Sequence, residues 1–177
     1  MRKTFFSGGM ILLVGLVQAQ TSQNIRTLYI LLGDWEVNTY EIGATGRWEA
    51  GTPSTSRITS VLGGQFIEEQ SIFRGKSATQ TIKRTFAYDT RHRKFKVTTL
   101  DQESGIMNTA IGEMEGGVLI ADNLNDAGVK NVEGIPQHYQ YTMDVKNQDE
   151  IRLNVNMTLD GGATWKGVNM MIYRRIR

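Results

Sequence analysis

The chain has 177 residues, 20 Lys+Arg against 18 Asp+Glu, and no cysteine. The lack of cysteine excludes thiol catalysis, zinc-thiolate centres and disulfide scaffolds, so the fold must rest on core burial. The near balance of charge excludes the basic face that nucleic acids require.

Residues 1–19 read as a secretory leader. Arg2 and Lys3 give a positive start, Met10 to Val17 is continuously apolar, and Ala19 offers a small residue for cleavage. The apolar run is shorter than the roughly 20 residues of a membrane span, so stable membrane insertion is not expected. Cleavage after Ala19 predicts a periplasmic or secreted protein, with residues 20–177 forming one domain. Removing the leader takes two basic residues and no acidic ones, which leaves 18 against 18. The exported chain is formally neutral.

Asn24 to Leu32 predicts a short helix, with Ile25, Leu28, Leu31 and Leu32 at helical spacing and Gly33 as its stop. The rest reads as strands. Trp35 to Ile42 alternates, with Trp35, Val37 and Thr39 on one face. Gly43 to Ser56, rich in Gly, Ser and Thr, reads as a loop with one ordered turn. Strands follow at Arg57 to Leu62, Phe66 to Phe73, Thr81 to Tyr88, Phe95 to Leu100, Ile106 to Glu113 and Val118 to Asp122. Asn123 to Pro136 is a polar connection. Tyr139, Tyr141, Met143 and Val145 share a face of the next strand, and Ile151, Leu153, Val155, Met157 and Leu159 share one of the strand after it. Asp160-Gly161-Gly162 marks a hairpin, and Trp165 to Arg174 is the last strand. With 19 glycines and 2 prolines, the pattern predicts an all-β antiparallel barrel of about nine or ten strands with a short N-terminal helix.

Particular residues carry a resemblance. They are Leu32-Gly33-Asp34-Trp35, Leu62-Gly63-Gly64-Gln65-Phe66-Ile67-Glu68-Glu69, Tyr88-Asp89 with Lys94-Phe95, Leu100-Asp101 with Ser104-Gly105, and Tyr173-Arg174. A short helix leading into Gly-x-Trp is similar to the opening of lipocalins and other calycins. In content and order these motifs resemble the bacterial DUF1579 family of calycin-like barrels. Ala87 stands where that family usually has glycine. The resemblance implies a fold and no reaction, since the family has no established activity. It also implies that Trp35 plugs one end of the barrel, with Arg174 or Arg175 of the final strand stacked on it.

Arg84 shares a face with Ile82, Phe86 and Tyr88. If that face is inward, the guanidinium needs an anionic partner, which Glu68 or an acidic ligand head group would supply. Tyr141 would add a hydroxyl. Arg84, Phe86, Tyr88, Tyr141 and Glu68 are therefore the candidate ligand-binding residues, for a small apolar or carboxylate-bearing molecule. Trp35 and Arg174 are the structural candidates.

No cofactor or metal is expected. Nitrobindins, a related barrel family, hold haem through a histidine, and Trp165 to Arg174 offers none. Asp122 to Gly128 is only a faint calcium loop, with Leu124 at a ligand position. No Ser/His/Asp arrangement or nucleophile elbow is present, and Asp101 with Glu103 reads as a turn pair. The leading expectation is non-enzymatic binding inside the barrel. The alternatives are an enzyme of unknown reaction at the barrel mouth and a barrel filled by its own side chains. A cavity of about 300 Å³ or more favours binding over the filled barrel.

Overall fold

The computed structural model describes residues 24–74, 79–126, 129–130 and 133–177; the expected leader lies outside the described residues. Twelve strands follow in chain order. They are β1 (Gly33–Ile42), β2 (Trp48–Ala50), β3 (Thr52–Val61), β4 (Phe66–Arg74), β5 (Thr79–Asp89), β6 (Lys94–Asp101), β7 (Met107–Glu115), β8 (Val118–Asp122), β9 (Val129–Lys130), β10 (Pro136–Asp144), β11 (Glu150–Thr158) and β12 (Lys166–Arg175). Burial alternates along them. Trp35, Val37 and Thr39 are buried on β1, Ile82, Arg84 and Phe86 on β5, and Ile151, Leu153 and Val155 on β11. This period of two lets one face of each strand fill a common interior.

Ten strands join in the order β11-β12-β1-β3-β4-β5-β6-β7-β8-β10, and β10 pairs back onto β11. The ring closes as a fully antiparallel barrel, which leaves no exposed sheet edge in the wall. β2 and β9 are short additions that pair with β1 and β10.

Antiparallel register sorts the residues between two ends. One end gathers the start of β1 and the close of β12, where Trp35 lies opposite Arg175. The other gathers the end of β1, the start of β5 and the ends of β6 and β11. Segment 24–31 covers the first end. It is not the continuous helix that the spacing predicts. Residues 24–26 are α-helical and are followed, after a turn at 27–28, by a 3-10 turn at Tyr29–Leu31. The buried Ile25, Leu28 and Leu31 recur every third residue, and that period suits 3-10 turns, in which side chains three apart eclipse. Gly33 then enters β1 at φ +136°, and a Cβ there would lie 2.6 Å from Arg175 Nη1. Both the backbone and the crossing guanidinium require glycine.

The segment expected to be a loop, 43–56, instead holds β2 and the first half of β3. Ser54 and Ser56 point inward from β3 and are buried. A polar inward face carries no apolar alternation, which is why the strand does not announce itself. Among the described residues, no helix is long and apolar enough to cross a membrane.

Candidate functional site

A cluster of neighbouring inward positions builds the floor of the site. In the β4–β5 ladder Glu69 lies opposite Arg84, so both side chains point the same way. Arg84 Nη1 donates to Glu69 Oε2. Glu69 Oε1 accepts from Ser56 Oγ at 3.0 Å, Ser71 Oγ at 2.7 Å and the Tyr173 hydroxyl at 2.9 Å. Arg84 Nη1 also reaches the Tyr173 hydroxyl at 3.3 Å, and Nε reaches Thr99 Oγ1 at 3.4 Å. Glu69 is 0% exposed, Tyr173 1% and Arg84 3%. Burial opposes the Arg84 charge, but Glu69 and then Tyr173 outweigh it and hold the guanidinium protonated well above its ordinary range. Burial first, and Glu69 second, push the Tyr173 hydroxyl far above a normal tyrosine. The interior therefore carries a hydrogen-bonded ion pair with no net charge.

Above this floor a cavity of about 630 Å³ lies toward the opposite end of the barrel from Trp35. Ile82, Tyr141, Val155, Val168 and Met171 give it apolar and aromatic walls, and Thr99, Asn108 and Asn169 add polar atoms. The Tyr141 hydroxyl bonds Thr99; its ionisation is pushed up by burial, with Arg84 and Thr99 pulling the other way. Asn108 Oδ1 and Asn169 Oδ1 are buried with no hydrogen-bond partner among the described residues. Asn108 is 8% exposed. Beneath the floor, Phe86, Leu119, Met143 and Leu153 are packed around the barrel axis.

The expected site residues divide accordingly. Arg84 and Tyr141 meet at the cavity floor. Phe86 lies one inward step below Arg84, in the packed half. Tyr88 is two steps below, near the covered end, edge-on to Phe95 with ring centroids 5.1 Å apart; it does not line the cavity. Glu68 is corrected to the outer face. It pairs with Lys83 at 2.8 Å, while its neighbour Glu69 takes the inward position and the bond to Arg84. Trp35 is 0% exposed and donates from Nε1 to Leu31 O at 2.8 Å. The stacked arginine is Arg175, with its guanidinium carbon 4.2 Å from the Trp35 ring centre. Arg174 is corrected to the outside, 3.5 Å from Glu150, because adjacent strand residues point to opposite faces.

Asp101 also lines the cavity, yet it closes its own turn, accepting from Glu103 N at 3.0 Å and Ser104 Oγ at 2.7 Å. Burial opposes its ionisation, but these bonds outweigh burial and hold the carboxyl below its usual range. Glu103 accepts from Thr81 N at 2.7 Å. Both acids of that pair thus serve the turn. His92 faces Asp89 in an exposed turn, and His138 donates from Nδ1 to Asn123 O at 3.2 Å. Among the described residues there is no group of three or more His, Cys, Asp or Glu able to hold a metal ion.

Sequence reasoning missed Glu69, Tyr173, Ser56 and Ser71 as partners of Arg84, and Asn108 and Asn169 as cavity residues. One signal was available. The β4–β5 hairpin begins from Arg74 opposite Thr79, and counting back in step from that turn sets Glu69, not Glu68, across from Arg84.

Among solved structures, a redesigned β-barrel aligns with a TM-score of 0.45 at 10% identity, covering 86% of this chain and 96% of its own. A protein of unknown function from the DUF3598 family of Nostoc punctiforme PCC 73102 aligns with a TM-score of 0.25 at 8% identity, covering 86% and 98%. No curated protein matches the chain. The family described as "Protein of unknown function (DUF1579)" matches residues 20–175, and the chain belongs to that family.

Proposed function

We propose that this protein is an exported barrel that binds a small, partly apolar molecule in its open half. The observation that carries the reading is the cavity of about 630 Å³ above a packed floor. Small-molecule pockets fall at about 300–1,000 Å³ and combine apolar walls with a few placed polar groups. Ile82, Val155, Val168 and Met171 match the first requirement; Arg84, Tyr141 and Asn108 match the second. A barrel filled by its own side chains would leave no such volume. Export is supported by the charged, apolar and small-residue succession of residues 2–19.

Native mass spectrometry of the protein recovered from its producing cell tests both parts. The expected spectrum has a chain beginning at Gln20 and a satellite peak heavier by one small molecule, which disappears on gentle activation. A chain retaining Met1 overturns export. A bare mass, with no uptake from a lipid and metabolite extract, overturns ligand binding.

A further inference from the structure

We infer that the cavity selects a ligand with an uncharged head group that both accepts and donates hydrogen bonds, such as a primary amide on an apolar chain. The inference rests on the ligand-binding reading and specifies what that site takes.

Arg84 is the one cation lining the cavity among the described residues, and its charge is already matched by Glu69 opposite it on β4. The partner that Arg84 alone would have sought in an acidic ligand is thus built into the protein. Glu41 and Asp101 also line the cavity, and the Asp101 carboxylate is held by its own turn. A second carboxylate brought to this floor would lose its water and find the lining cation already paired with Glu69.

What the floor lacks is hydrogen bonds of specific sense. The hydrogen bonds of Arg84 to Thr99, Glu69 and Tyr173 leave from Nε and Nη1, and its Nη2 amino group can only donate. Asn108 is nine-tenths buried, with Oδ1 unpartnered. It sits opposite Thr99 in the β6–β7 ladder, and Thr99 Oγ1 accepts from Arg84 Nε at 3.4 Å. Arg84 and Asn108 thus flank one spot. Across the barrel, Asn169 Oδ1 is a second buried acceptor without a partner, opposite Glu41 in the β1–β12 ladder. An unsatisfied buried acceptor carries its full desolvation cost until a donor reaches it. An amide satisfies both senses, its carbonyl accepting from Arg84 and its N–H donating to Asn108. A carboxylate has no donor at neutral pH, and an ammonium has no acceptor. The apolar chain would lie against Ile82, Val155, Val168 and Met171, toward the mouth.

Isothermal titration calorimetry with octanamide, octanoate and octylamine at neutral pH tests this on the unmodified protein. Octanamide is expected to bind at least about tenfold more tightly than either charged analogue. Asn108→Leu, with its fold checked by thermal melt, should weaken octanamide by a similar factor and leave octanoate unchanged. Octanoate or octylamine binding as tightly as the amide overturns the head-group inference while leaving the binding site in place. Failure of all three to bind overturns the head-group inference and removes the support for the site as well.

Discussion

Glu69 accepts hydrogen bonds from four different strands, through Ser56 of β3, Ser71 of β4, Arg84 of β5 and Tyr173 of β12. A buried carboxylate and a buried guanidinium cost several kcal/mol each to dehydrate, and only dense hydrogen bonding recovers that cost. The two serines explain why part of β3 and β4 is polar on its inner face. Tyr173→Phe removes a donor to Glu69 and an acceptor from Arg84 without changing the ring. It should cost about 1–3 kcal/mol in a urea melt. The pH dependence has a definite sign. Unfolded Tyr173 ionises near pH ~10, whereas the folded residue holds its proton well beyond that, from burial and then from Glu69. Its stabilising share is complete below pH ~10 and is lost as pH rises through the window above it, because there the unfolded state alone gives up the proton. Tyr173→Phe should therefore flatten the alkaline fall in stability. Some slope should remain from Tyr139 and Tyr141, both raised by burial. An unchanged urea midpoint and an unchanged alkaline slope would together show that the hydroxyl is not coupled to the ion pair. At this scale the sequence grouped Arg84 with Ile82, Phe86 and Tyr88 on one face, left open whether that face was inward, and did not identify its partner. Phe66 and Ile72 make the Glu68 face as apolar as Ile67 and Phe73 make the Glu69 face, so alternation alone could not choose between the two acids.

At the scale of elements, the covered end is an assembly of one turn segment and two strand termini. Trp35 donates to Leu31 O, which ties β1 to the 3-10 turn. Arg175 lies over the Trp35 ring and donates to Leu32 O at 2.6 Å, Ile30 O at 2.7 Å and Gln148 O at 2.7 Å. It thereby satisfies carbonyls that a short turn leaves open. Arg175→Ala should lower stability by about 2–4 kcal/mol, from lost charged hydrogen bonds and the cation–π contact. Arg174→Ala removes only a half-exposed pair with Glu150 and should stay within about 0.5 kcal/mol. Equal effects in paired denaturant melts would contradict this division of roles. The Gly-x-Trp motif made the plug legible in advance, because Gly33 and Trp35 are both dictated by this one crossing. Which arginine served it depended on the parity of β12, and Tyr173-Arg174-Arg175 offers a basic residue on either face. The polar segment 43–56 hid β2 and half of β3 for a related reason. Thr and Ser pair well in strands, yet they leave no apolar period to read.

Over the whole molecule, the barrel divides into a packed half and an open half, with the Arg84–Glu69 layer between them. The strand count and the closed antiparallel wall were readable from period-two alternation and glycine turns, since those are local signals. The hollow was not, because a cavity is set by how ten strands place their inner residues against one another. Tyr139, Tyr141, Val155, Val168 and Met171 would look the same in a filled core. The division predicts that stability and binding can be altered separately. Phe86 is 1% exposed and sits below the floor; Phe86→Ala should cost about 3–5 kcal/mol by leaving a void, while octanamide affinity in the folded fraction changes little. Val168 lines the cavity wall, so the added ring of Val168→Phe enters open volume rather than a packed core. Its stability should change by less than about 1 kcal/mol, while octanamide binding falls at least about tenfold because the ring occupies the space of the ligand chain. Calorimetric titration and denaturant melts on the same two variants decide the matter. Undiminished binding by Val168→Phe would place the ligand elsewhere. An equal loss of binding in Phe86→Ala would mean that the two halves do not act independently.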